Sequence, residues 1–141
     1  MSNNHFSGKE LEALKMLRQR RKERAEQEVA KASRQLQEVS SRFSQAQQQQ
    51  AAVDAEHQRQ RASLSADYQE NAMSTGELRH WQRQERALID GVNRYRHALE
   101  TLRNERDDQQ ERLDSHRQQL KKRQLGLEKL YEMQRLLRQG G

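Results

Sequence analysis

Stepping alternately three and four residues from Leu78 gives Leu78, Trp81, Glu85, Leu88, Val92, Tyr95, Leu99, Leu102, Arg106 and Gln109. The same stepping continues through Leu113, His116, Leu120, Arg123, Leu127, Leu130, Gln134 and Leu137. Twelve of these eighteen positions are apolar or aromatic, against 31% hydrophobic residues in the whole chain, and the period never stutters. A strand would alternate every second residue, whereas a 3.5-residue repeat puts one narrow apolar stripe on a helix. Two such stripes packed together supercoil left-handedly with interlocking side chains. The chain has no Pro to interrupt a helix of this length.

An earlier segment carries the same period through Val29, Ala32, Leu36, Val39, Phe43, Ala46, Gln50, Val53, His57, Gln60 and Leu64. Leu11, Leu14 and Leu17 fall in a different phase, so the stripe is expected to slip between Leu17 and Val29. Between the two segments, Ser74-Thr75-Gly76-Glu77 forms a capping box, with Met73 and Leu78 at the positions of a hydrophobic staple. Ser7-Gly8-Lys9-Glu10 repeats the box at the start of the chain, with Phe6 and Leu11 as its staple. Asn71 tolerates the left-handed conformation that follows a helix end.

These signals divide all 141 residues into one helix over about 8–71, a turn at about 72–74 and a second helix over about 75–138. Each arm is roughly 64 residues, or ~95 Å at 1.5 Å per residue. A short loop between equal helices makes them antiparallel neighbours. The expected fold is therefore all-α, a single long antiparallel two-helix coiled-coil hairpin, and a monomer. If position i faces about 147 minus i, Phe43 lies near Asn104 and Leu64 near Arg83. Polar positions on the stripe, such as Glu85, Arg106, Gln109, His116 and Arg123, resist slippage because slipping would bury them against apolar partners.

The apolar fraction lies well below the roughly 45–50% of ordinary soluble domains. It lines a seam but does not fill a thick core. Cys is absent, which excludes a disulfide framework and thiolate metal sites. No stretch nears the ~20 apolar residues of a membrane span. The opening Met1-Ser2-Asn3-Asn4-His5-Phe6 lacks the basic segment and apolar core of a secretory signal, so the expected location is cytoplasmic. The five His residues never stand three or four apart, so no pair shares a helix face as metal binding would require. With no Gly-rich phosphate loop or metalloprotease motif, no catalytic residue, metal or cofactor is expected, and the chain is expected not to be an enzyme.

Charge is the informative feature. Residues 15–24 hold Lys15, Arg18, Arg20, Arg21, Lys22 and Arg24 against Glu23 alone, a net +5. Residues 117–123 hold Arg117, Lys121, Lys122 and Arg123 with no acid, a net +4. The hairpin register sets the two runs side by side near both termini, in a chain whose total charge is only +6. A solvated helix face is the plain explanation of either run. Concentration into one band points instead to an acidic partner. Nucleic acid is not expected, because aromatics make up only 4% of the chain and a hairpin offers no forked basic region to a groove. Near the turn, Trp81, Leu88, Ile89 and Tyr95 gather with Leu64, Tyr68 and Met73. They either close the core there or form an interface hot spot.

Two stretches resemble the stalk proteins of type III secretion, the YscO/FliJ family. The opening Leu11-Glu12-Ala13-Leu14-Lys15-Met16-Leu17-Arg18, followed by Arg20 to Val29, is similar to the injectisome branch. Gly76-Glu77-Leu78-Arg79-His80-Trp81, followed by Leu88-Ile89, resembles the post-turn segment of both branches. The resemblance implies a coiled-coil hairpin whose terminal end enters the pore of a hexameric export ATPase and promotes ATP turnover. The far half would reach the export gate or export chaperones. By region, the ATPase-facing residues would be Arg18, Arg20, Arg21, Lys22, Arg24, Lys121, Lys122 and Arg123. The gate- or chaperone-facing residues would be Trp81, Leu88, Ile89 and Tyr95. A coiled-coil scaffold or adaptor unrelated to secretion, and a nucleic-acid-binding coiled coil, are the rival classes.

Overall fold

The computed structural model describes residues 7–70 and 74–140. They form two helices, α1 (Gly8–Glu70, 63 residues) and α2 (Thr75–Gly140, 66 residues), packed antiparallel as an all-α helical hairpin. The staple residues Phe6 and Met73, the cap residue Asn71 and the turn at 72–73 lie outside the described residues. At the start of α1 the capping box is complete. The Glu10 amide donates to Ser7 Oγ at 3.1 Å and the Ser7 amide donates to Glu10 Oε2 at 3.2 Å. At the start of α2 the Glu77 amide donates to Ser74 Oγ at 3.2 Å. Each cap satisfies a backbone donor that a first helical turn leaves without an intrahelical partner.

The packing divides into two units. The turn unit is Glu38–Asp107, and the terminal unit pairs Met1–Gln37 with Asp108–Gly141. In the turn unit the buried seam residues are Val39, Phe43 and Val92 together with Gln50, which is only 8% exposed. Several polar seam positions are accommodated by a specific contact. The guanidinium of Arg106 sits 4.6 Å from the centroid of the Phe43 ring, and that of Arg103 lies 5.9 Å from it, so cations cover the face of the one buried aromatic in this stretch. Glu85 pairs with Arg61 at 3.1 Å. Gln50 donates to the Asp54 carboxylate on its own helix at 3.2 and 3.3 Å, but its Oε1 is buried without a partner among the described residues. The cross-helix pairs Arg42–Glu105, Phe43–Arg103 and Arg61–Glu85 keep close to the expected register of 147 minus i.

In the terminal unit the buried residues are Leu11, Ala32, Leu113, Leu127 and Leu130, the last at 0% exposure. Here the structure corrects two readings of the sequence. The α1 seam does not slip. It runs back unbroken from Val29 through Ala25, Lys22, Arg18 and Lys15 to Leu11, all buried or half-buried. Leu14 and Leu17 are the residues out of phase, and Leu17 is exposed. Basic side chains can hold seam positions because their long apolar stems lie in the seam while the charged heads reach its edge. Arg18 Nη1 donates to the Gly126 carbonyl across the seam at 2.7 Å, and Lys15 Nζ lies 5.3 Å from the centre of the Tyr131 ring. The second correction concerns positions assigned to the seam: Tyr95, Arg123 and Leu137 on α2, and Gln60 on α1, are exposed.

Two Gly residues stand inside α2, and at Gly91 and at Gly126 an added Cβ would meet no atom within 4 Å. Gly costs about 0.8–1 kcal/mol relative to Ala in a helix interior. Gly91→Ala and Gly126→Ala should each raise the thermal midpoint by roughly that increment, read by circular dichroism. A lowered midpoint would mean that the chain needs flexibility at that position.

Ser74→Ala removes the α2 cap acceptor and should cost about 0.5–2 kcal/mol. Ser115→Ala, at an exposed site within α2, should cost less. Equal losses of midpoint would place the start of α2 elsewhere.

Candidate functional site

The terminal unit carries 17 Lys and Arg against 10 Asp and Glu, a net +7, whereas the turn unit carries 10 Arg against 11 acids, a net −1. The difference extends to how the charges are used. In the turn unit Arg42, Arg59, Arg61, Arg96, Arg103 and Arg106 each lie within 4.0 Å of a carboxylate. In the terminal unit Arg20, Arg21, Arg24, Lys121, Lys122 and Arg123 are exposed and have no carboxylate within that distance among the described residues. These six make up most of the sequence-assigned ATPase-facing set. Their positive potential is not neutralised within the unit, and Arg and Lys heads on flexible stems engage carboxylates at a range of distances.

The other two members of that set behave differently. Arg18 and Lys22 are half-buried on the seam. Arg18 is held by the Gly126 carbonyl, and Lys22 pairs with Glu26 one turn on at 3.5 Å. They pack the unit as much as they charge it. The two basic runs lie only partly side by side. Lys15 meets Tyr131 and Arg18 meets Gly126, so the start of the α1 run lies opposite the residues that follow the α2 run. The runs are offset along the unit and overlap only in part, forming a basic strip longer than either run alone.

In the turn unit the four residues assigned to gate or chaperone contact separate into two pairs. Trp81 and Leu88 are half-buried, while Ile89 and Tyr95 are exposed at 41% and 43%. The Trp81 ring packs against Tyr68 with centroids 6.2 Å apart and planes tilted by 33°. Its indole Nε1 is buried without a partner among the described residues. Trp81 therefore closes the core of this unit, and the surface available to a partner is Ile89 and Tyr95. Ile89 also lines a shallow groove on α2 with Arg79, Arg83 and Arg86, an arginine cluster that the sequence reading passed over.

The largest feature missed from sequence is apolar. Met16, Leu17, Leu125, Tyr131, Met133, Leu136 and Leu137 are all exposed in the terminal unit. The signal for it lies in the phase of Leu14 and Leu17, which fits no seam position, although a slip of the seam accounts for the same spacing. Among the described residues no helix is long and apolar enough to cross a membrane, and no group of three or more His, Cys, Asp or Glu is placed to hold a metal ion. Compared with known proteins, the chain matches no family profile, no curated protein and no solved structure.

Proposed function

We propose that this protein is the central stalk of a type III secretion export ATPase, a cytoplasmic monomer whose terminal unit binds in the pore of the hexamer and promotes ATP turnover. The observation that carries this reading is the set of six exposed, unpaired cations in the terminal unit, whose net charge is +7 against −1 in the turn unit. The resemblance of Leu11 to Val29 and of Gly76 to Ile89 to the YscO/FliJ stalk proteins supplies the identity of the acidic partner. One hairpin inside a six-fold ring cannot meet six identical subunits equally, so its binding favours an ordered sequence of subunit states. Exposed Arg and Lys pass between successive carboxylates with low barriers because each contact alone is weak. Ile89 and Tyr95 then serve the export gate or an export chaperone, with Trp81 and Leu88 holding the backbone beneath them.

The test is charge reversal at positions off the seam. Arg20→Glu, Arg21→Glu and Arg24→Glu together should abolish stimulation of the cognate ATPase while leaving the helical spectrum intact. Any one of them singly should have little effect, since an exposed pair contributes at most about 1 kcal/mol. Raising salt should weaken the wild-type complex in parallel, because screening acts on the same contacts. The control is Tyr95→Ala with Ile89→Ser, which should spare stimulation and impair the gate or chaperone contact. Full stimulation by the triple variant would reduce the basic strip to a solvated surface and leave a scaffold or adaptor as the better reading.

A further inference from the structure

Two contacts mark the two flanks of the terminal unit: Arg18 on the Gly126 carbonyl, and Lys15 over Tyr131. On the Arg18–Gly126 flank the off-phase leucines find counterparts. Leu14 lies one turn before Arg18, and Leu17 follows Leu14 at i+3. Met133 lies one heptad after Gly126, and Leu136 and Leu137 follow it at i+3 and i+4. Residues at these spacings share one helix face. Leu14 is half-buried, while Leu17, Met133, Leu137 and Leu136 are exposed at 44%, 45%, 49% and 58%. The result is an apolar furrow between two helices, with both helices contributing to its walls.

Cations border the furrow. Arg21 follows Leu17 at i+4, and Lys129 lies one turn before Met133; both are exposed and have no carboxylate within 4.0 Å among the described residues. The nearest acid on the α1 stripe, Glu10, is engaged by the Ser7 amide in the capping box.

We infer that this flank is the docking site for an amphipathic helix of a partner protein, lying as a third strand in the groove and carrying acidic residues along its edges. A helix laid into an apolar groove is read by anchors at i, i+3, i+4 and i+7, which match side chains arrayed at those spacings on the groove walls. The cationic border selects among occupants. A second copy of this chain would bring a like-charged border to the same surface, and the unit as a whole is +7. An anionic membrane matches the charge but not the shape, since membrane-surface helices present one wide convex apolar face, whereas here the apolar side chains lie on either side of a seam. Acidic edges on a third helix meet Arg21 and Lys129 directly. The site shares Arg21 with the export-ATPase reading, but its apolar anchors are residues that reading does not invoke, so the leucine pair tests it separately.

The experiment uses the full chain and a fluorescent synthetic helix of about five turns with Leu at i, i+3, i+4 and i+7 and Glu on both borders, followed by fluorescence anisotropy. The peptide should bind with a salt-sensitive affinity. Leu17→Ser with Leu136→Ser should weaken it roughly tenfold or more, the loss expected from removing two half-exposed apolar contacts. Arg21→Glu with Lys129→Glu should weaken it comparably while removing no apolar side chain. All four positions are exposed, and an unchanged helical spectrum and melting midpoint confirm that each variant is folded. A scrambled peptide of the same composition should bind much more weakly. Equal binding by the scrambled peptide, or no effect of the leucine pair, overturns the proposal and leaves charge alone. Leucine-dependent binding to phosphatidylglycerol vesicles with no binding of the helix overturns it in favour of a lipid surface. Leucine-dependent dimerisation in sedimentation, again without helix binding, overturns it in favour of self-association.

Discussion

A two-helix coiled coil has a single seam to bury, and every other property of this protein follows from how that seam is filled. Each helix offers the seam one position every three or four residues, so most of the chain faces water whatever its sequence. Several of those positions are nevertheless held by residues that are not apolar. The chain fills the remainder with polar side chains that have apolar stems or partners close by. Arg106 lies over Phe43, Arg61 meets Glu85 at 3.1 Å, and Arg18 reaches the Gly126 carbonyl. Where no such partner exists, as at Gln50 Oε1, His57 Nε2 and Gln109 Oε1, a buried polar atom goes unsatisfied among the described residues. Such atoms cost about 1–3 kcal/mol each. They also disfavour register slips that would set them against apolar residues.

The same economy of apolar surface separates the two units chemically. In the turn unit, cations are balanced by acids and largely paired with them, and the polar seam positions take part in that pairing. In the terminal unit, Lys15, Arg18 and Lys22 enter the seam by their stems, and the exposed cations on the same turns have no acid to meet. The unit thus combines unpaired positive charge with exposed leucines and methionines, features that a solitary solvated helix pair does not require. Exposed apolar residues rimmed by charge mark surfaces that other proteins cover.

Much of this was legible in the sequence, and the exceptions have a common cause. Capping boxes set the helix starts, because a Ser hydroxyl and a Glu carboxylate three residues apart have few other local uses. The α2 stripe was clear because Leu holds most of its positions, and the register followed from the two helix starts. What escaped was the phase of α1 before Val29. There the seam residues are Lys15, Arg18 and Lys22, while leucines sit beside it at Leu14 and Leu17. Reading by residue type follows the leucines and infers a slip; the stems of Arg and Lys are invisible to it. The same error hid the Leu14–Met133 flank. Tyr95 and Leu137 were missed in the opposite sense, as apolar residues on heptad positions where the facing helix leaves them exposed.

A central stalk differs from a scaffold, an adaptor or a peripheral activator above all in number. For the proposed stalk role the most direct measurement is the mass of the species formed when this protein is mixed with an export ATPase and nucleotide, by native mass spectrometry at low salt. A stalk requires one copy of this chain per six ATPase subunits, with the single copy lost as ionic strength rises. Two or more copies per hexamer, or a copy bound to each isolated ATPase subunit, would contradict a place in the pore.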